Sequence, residues 1–164
     1  MAHNVLALAN EFLARSASSD VALTPMHLQK LCYFAHGFNL ALKDTELTSD
    51  RVEAWEFGPV FPTLYDALKR YGARSVGEQV RERNWASTEI QRGNVVVETF
   101  TADEMEVIDG VFETYGDFEA YKLSALTHEA GSPWEKIYKP GRKSLVIPNS
   151  MIRDYFVELA ATAA

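Results

Sequence analysis

The side chains of this sequence that could hold a metal or attack a substrate fall at helical spacings. Cys32 and His36 are four residues apart, His27 lies a further turn away, and Ser124 and His128 are again four apart. Residues at i and i+4 share a helix face, so the first pair could meet a metal and the second could hydrogen-bond as nucleophile and base. Neither pair completes a site. Structural zinc takes about four ligands and catalytic zinc about three, yet the chain has no paired cysteines and no HExxH segment. His3 lies too near the N-terminus to help. Packing is therefore the expectation for Cys32 and His36, with no metal and no cofactor. Ser124 and His128 lack a recognisable orienting acid and oxyanion donors, so a small hydrolase-type enzyme stands only as the alternative reading. His128 is expected to cap its helix, where an imidazole meets free carbonyls.

A third group is electrostatic. Asp103, Glu104, Glu106, Asp109, Glu113, Asp117 and Glu119 follow one another with no Lys or Arg before Lys122. Asp103 and Glu104 suit the positive end of a helix dipole. The others repel at i,i+4 spacing, which makes Glu106, Asp109 and Glu113 a candidate acidic face for a basic partner, against the plainer reading of a solvated surface.

The elements that must carry these groups are mostly helical. Val5, Leu8, Ala9 and Phe12 give a stripe over about residues 3–16. Thr24 caps a stronger helix with Pro25 at its first position, and Leu28, Leu31, Ala35, Phe38 and Leu42 keep one face apolar. Thr101 with Glu104, and Ser132 with Glu135, are capping-box patterns. Another helix is expected over 118–128, and a last one after Pro148-Asn149 with Ile152, Tyr155, Phe156 and Leu159 inward. Residues 72–93 lose periodicity, collect Arg74, Arg81, Arg83 and Arg92, and read as a loop. Asn94 to Glu98 reads as a short strand.

One corner interrupts the helices. Val52 to Phe57 alternates like a half-buried strand, Gly58-Pro59 stops it because proline offers no N–H to a ladder, and Pro62 opens a helix whose face takes in Val60, Leu64, Ala67, Leu68 and Tyr71. The Asn94 segment is expected to pair with the strand before Gly58. The architecture is thus mainly α (α+β): about six or seven helices with one two- or three-stranded sheet, in a single domain over residues 1–164.

Composition narrows the function. With 164 residues, 47% hydrophobic and 24% charged, the chain is long enough for a real core. A formal net charge of −7 argues against direct nucleic-acid binding, which needs concentrated basic surface. One cysteine, and neither a signal peptide nor a long apolar span, indicate a cytoplasmic protein without membrane contact.

Taken in order, Leu28-Gln29-Lys30-Leu31-Cys32-Tyr33 with Gly37, then Ala54-Trp55-Glu56-Phe57-Gly58-Pro59-Val60 with Tyr65, then Leu126-Thr127-His128 with Trp134, resemble the Panacea domain, the SocA-like or GepA-like phage-associated family. The resemblance covers about residues 5–158. It implies a non-enzymatic antitoxin that neutralises a toxin protein encoded nearby, either by direct contact or as an adaptor to a protease. The scaffold near the binding surface would be Leu28, Lys30, Leu31 and Tyr33 on one helix, Trp55, Glu56, Gly58, Pro59, Val60 and Tyr65 at the corner, and Thr127, His128 and Trp134 beyond it.

Overall fold

The computed structural model describes residues 2–82, 93–142 and 144–162. Helices α1 (Val5–Ser19) and α2 (Pro25–Lys43) are followed by strands β1 (Glu53–Trp55) and β2 (Gly58–Val60), then α3 (Pro62–Leu68) with a 3₁₀ turn over Lys69–Tyr71. Four further helices complete the described residues: α4 (Ala102–Tyr115), α5 (Ala120–Thr127), α6 (Pro133–Ile137) and α7 (Asn149–Thr162). The architecture is mainly α with one small two-stranded sheet.

Helix α2 is the axis of the fold. Thr24 Oγ1 accepts from the His27 amide while His27 Nδ1 accepts from the Thr24 amide, so two otherwise orphaned donors are satisfied at its start. From Leu28 to Gly37 every residue is buried, because α1, α4, α5 and α7 all pack against this helix. Gly37 lets α7 approach: a Cβ there would lie 2.4 Å from the ring of Phe156. Phe156 is itself fully buried, edge-on to Tyr33, Phe34 and Phe38.

The corner is a hairpin rather than a strand-turn-helix. Glu53 pairs with Val60, Ala54 with Pro59 and Trp55 with Gly58, so Glu56 and Phe57 form a two-residue turn and Gly58-Pro59 belongs to the second strand instead of ending the first. Proline is tolerated because β2 is an edge strand whose outer side needs no proline N–H. Val60 accordingly lies on β2, and the α3 stripe begins at Leu64.

Nor does the Asn94 segment pair with β1. The other edge of β1 is taken by 145–147: Ala54 N donates to Leu145 O and Ile147 N to Val52 O. Residues 94–96 instead meet 80–82, with Val96 N donating to Val80 O and Glu82 N to Asn94 O. Asn10 on α1 fixes this pairing by donating to the carbonyls of both Val80 and Val96 and accepting from the Val80 amide. The expected arginines at 83 and 92 lie outside the described residues.

The Thr101–Glu104 box is reciprocal, as its spacing predicts. Ser132 caps α6 by accepting from Glu135 N, but Glu135 turns its carboxylate to the Gly131 amide, so the second box is half made.

Candidate functional site

The turn of the hairpin is gripped by its carbonyls. The Trp134 indole N–H donates to Trp55 O at 2.6 Å across 79 residues of sequence. His128 Nε2 stands 3.3 Å from Glu56 O. Phe57 O accepts twice, from Lys30 Nζ at 2.9 Å and from the Ser124 hydroxyl at 3.0 Å, and Pro59 O accepts from Lys30 Nζ at 3.2 Å. Donors from α2, α5 and α6 therefore converge on three carbonyls of one short turn, with the His128 ring beside the fourth. A three-residue ladder is marginal by itself; these side chains hold it.

Gly58 sits at the centre. Its φ is +113°, a conformation L side chains rarely adopt, and a Cβ there would lie 2.7 Å from Lys30 Nζ and 2.8 Å from Thr127 Oγ1. The elements after β2 are tied in as well: Gln29 donates to Phe61 O and accepts from Phe61 N. Lys30 is 1% exposed, and burial pulls its pKa down to about 7. Its neutral amine still has protons for both carbonyl bonds.

Among the sequence-predicted scaffold residues, Lys30, Trp55, Glu56, Gly58, Pro59, Thr127, His128 and Trp134 thus come together, and Tyr65 joins them through its ring, 4.9 Å from that of Trp55 and at a steep angle. The His128 and Trp134 rings lie 4.0 Å apart, and Trp134 stacks on Tyr138. Leu28 and Leu31 are fully buried core, Val60 is buried on β2, and Tyr33 is buried away from the turn among aromatics of α2 and α7.

The large apolar side chains left exposed around the turn are aromatic. Phe57 at the tip is 63% exposed and Tyr65 is 43% exposed. Tyr121, one helical turn before Ser124 on α5, is 74% exposed.

The Ser124/His128 pair lacks nucleophile–base geometry. His128 Nδ1 donates to the backbone carbonyl of Ser124 at 2.6 Å, capping α5 as its position predicts, while the Ser124 hydroxyl is spent on Phe57 O. The Cys32 and His36 pair is likewise engaged in packing. Cys32 is buried, with its thiol pKa pushed up by burial and by Asp50. His36 bonds Asn149 through Nε2 and accepts from Thr48 N at Nδ1, with burial lowering its pKa. His27 donates from Nε2 to Phe118 O. No group of three or more His, Cys, Asp or Glu side chains among the described residues could hold a metal ion.

Two charge expectations need correction. The acids of α4 have counter-charges after all, supplied by other helices: Arg15 of α1 bonds Asp109 at 2.7 Å, and Lys43 of α2 lies 3.8 Å from both Asp103 and Glu106. Glu113 is exposed beyond them. His3 is not a frayed terminal residue. It is buried, bridges Thr48, and places one ring nitrogen 3.0 Å from Glu98 and the other 3.0 Å from Glu104. His3, Asn10 and Gln29 have roles that depend on long-range partners and leave no mark on local spacing.

Fold and site together define a mainly α protein with one small hairpin held through its backbone carbonyls. The chain belongs to the antitoxin SocA-like, Panacea-domain family, whose model matches residues 28–135. It is 33% identical over 156 residues to Antitoxin SocA of Caulobacter vibrioides (strain NA1000 / CB15N), across 92% of this chain and 80% of that relative. No solved structure matches.

Proposed function

We propose that this chain is a non-enzymatic antitoxin that neutralises a partner toxin by direct protein–protein contact, with the tip of the β1–β2 hairpin and its aromatic flank as the contact surface. Family membership supports the antitoxin role. The observation that carries the choice of surface is an exposed Phe57 on a turn whose carbonyls are held by three side chains, Lys30, Ser124 and Trp134. Binding energy concentrates in a few aromatic anchors, and an anchor fixed before the encounter loses little conformational freedom on binding. The exposed acids beyond Arg15 and Lys43, Glu113 first, serve encounter with a basic partner rather than tight contact.

The proposed setting is the cytoplasm, with no direct role for nucleic acid. No helix among the described residues is long and apolar enough to cross a membrane.

Co-expression with the products of the adjacent genes tests this. Rescue of growth from one of them, with co-elution on size exclusion, is the expected result, since a specific complex buries roughly 1,200–2,000 Å². Failure of every neighbour to be rescued overturns it. Toxin level during rescue separates the two routes: a constant level means occlusion, whereas protease-dependent loss means delivery as an adaptor.

A further inference from the structure

A cleft of about 170 Å³ opens between α2, α4, α5 and α7, on residues that donate to none of the hairpin carbonyls, although Thr127 lies beside Gly58. Five aromatic side chains line it: Tyr33 and Phe34 from α2, Tyr115 from the end of α4, Phe118 just before α5, and Tyr155 from α7. The sixth group that matters is Glu129, just past the end of α5. Phe34 and Tyr115 stack with centroids 4.7 Å apart, and Tyr115 meets Phe118 edge-on at 5.4 Å.

Glu129 decides the chemistry. It forms no ion pair with any described lysine, arginine or histidine. The Tyr155 and Tyr115 phenols face its charge, and burial together with that charge holds both protonated to higher pH than usual. The carboxylate thus stands among phenols of the cleft wall without a described ion-pair partner. Aromatic faces are negative, and a cation over them gains electrostatic attraction. The chain already uses one of these rings in that way, with Lys122 Nζ 4.1 Å from the centre of Phe118.

We propose that this cleft is a cation-binding site that receives an arginine side chain of the partner protein. A guanidinium is planar, stacks on aromatic faces and meets a carboxylate through two parallel N–H donors, which fits a stacked ring pair beside one unpaired acid. The net charge of −7 favours a basic partner in the same sense. The assignment of the cation to a partner rests on the antitoxin reading; the chemistry of the cleft does not.

The test begins with the full chain alone, so that it is independent of whether any toxin is neutralised. N-acetyl-arginine amide, its neutral isostere N-acetyl-citrulline amide, and choline are titrated separately and followed by NMR. Saturable shifts of the Tyr and Phe ring signals are expected with the arginine probe, with Glu129→Gln and the citrulline probe each weakening binding by about threefold to fivefold. Glu129 is exposed, so its amide variant is expected to keep the parent's circular dichroism. Equal binding of arginine and citrulline probes, or an unchanged Glu129→Gln, overturns the cation site. Saturation by choline alone makes the cleft a small-molecule site and overturns the arginine. In a second arm Glu129→Gln is measured against the rescued toxin, and unchanged affinity there removes the partner as the source of the cation.

Discussion

Lys30 Nζ stands where a side chain on residue 58 would begin: a Cβ on Gly58 would lie only 2.7 Å from it. The amine and the missing side chain are two halves of one arrangement, since Lys30 reaches Phe57 O and Pro59 O only by passing over the glycine between them.

Gly58→Ala is therefore expected to destabilise the fold by about 1–3 kcal/mol from backbone strain alone, with displacement of Lys30 adding to it. Gly58→Val should be worse. Gly77, whose Cβ would meet nothing within 4 Å, is the control. Circular dichroism melts should show a clear drop for Gly58→Ala and little change for Gly77→Ala; equal melts would mean that the hairpin relaxes freely around residue 58.

Lys30 also predicts a pH dependence. Its pKa is about 7 in the fold against 10.5 for an ordinary lysine, so between these values the unfolded chain holds the extra proton and stability rises with pH, by at most about 1.4 kcal/mol per unit. From about pH 9 the rise is opposed and then reversed, because burial raises first the Cys32 thiol and then the Tyr33 phenol, which only the unfolded chain ionises readily. Urea melts of the parent at pH 7, 7.5 and 8 should show the rise, and Lys30→Met should flatten it. A parent without any slope relative to the variant contradicts the buried neutral amine.

The contact between α2 and α7 gives a packing prediction. Gly37→Ala forces a methyl group to within 2.4 Å of the Phe156 ring, an overpacking of the kind that costs about 1–3 kcal/mol. Phe156→Leu removes part of the obstacle, so the double variant should lose less than the two single losses summed. Strict additivity of the measured unfolding free energies would show that α7 shifts as a whole.

Phe57→Ser should leave stability within about 0.5 kcal/mol, because the tip is exposed and the turn is held through its backbone. Complex formation with the toxin should fall markedly. Calorimetric binding that is unchanged in this variant places the contact surface elsewhere.

For the acidic helix the expectation is kinetic. Replacing Glu106, Asp109 and Glu113 with Gln, Asn and Gln should slow association at low salt more than it speeds dissociation, the difference vanishing as the Debye length shrinks from ~10 Å at 0.1 M to ~3 Å at 1 M. Loss of the Arg15 and Lys43 pairs should change stability by no more than about 1 kcal/mol, since surface ion pairs contribute little. Equal association rates at low salt would reduce the face to solvated surface.

The helices were legible because their signals are local. Thr24 before Pro25, and Thr101 three residues before Glu104, announce starts that the structure places at Pro25 and Ala102. The hairpin was not, since Gly58-Pro59 reads as a stop unless one knows that β2 is an edge strand and that Lys30 and Thr127 crowd the glycine. The Asn94 segment pairs away from β1 for a related reason: Asn10, 70 residues from Val80, selects its partner, and no window of sequence contains both. The gathering of Lys30, Gly58, His128 and Trp134 was foreshadowed by a family resemblance, whereas the actual bonds run to backbone carbonyls, which every residue type supplies and no sequence pattern marks.

That last property has an evolutionary consequence. The residues that grip the hairpin read its main chain between Trp55 and Pro59 and ignore what the side chains of Glu56 and Phe57 are, while both of these side chains are exposed. Shape and identity are thereby uncoupled at the tip: a lineage meeting a new adversary can exchange the two residues without rebuilding the mount that carries them. A library randomised at positions 56 and 57 should fold almost throughout, and selection against different toxins should recover different pairs from it.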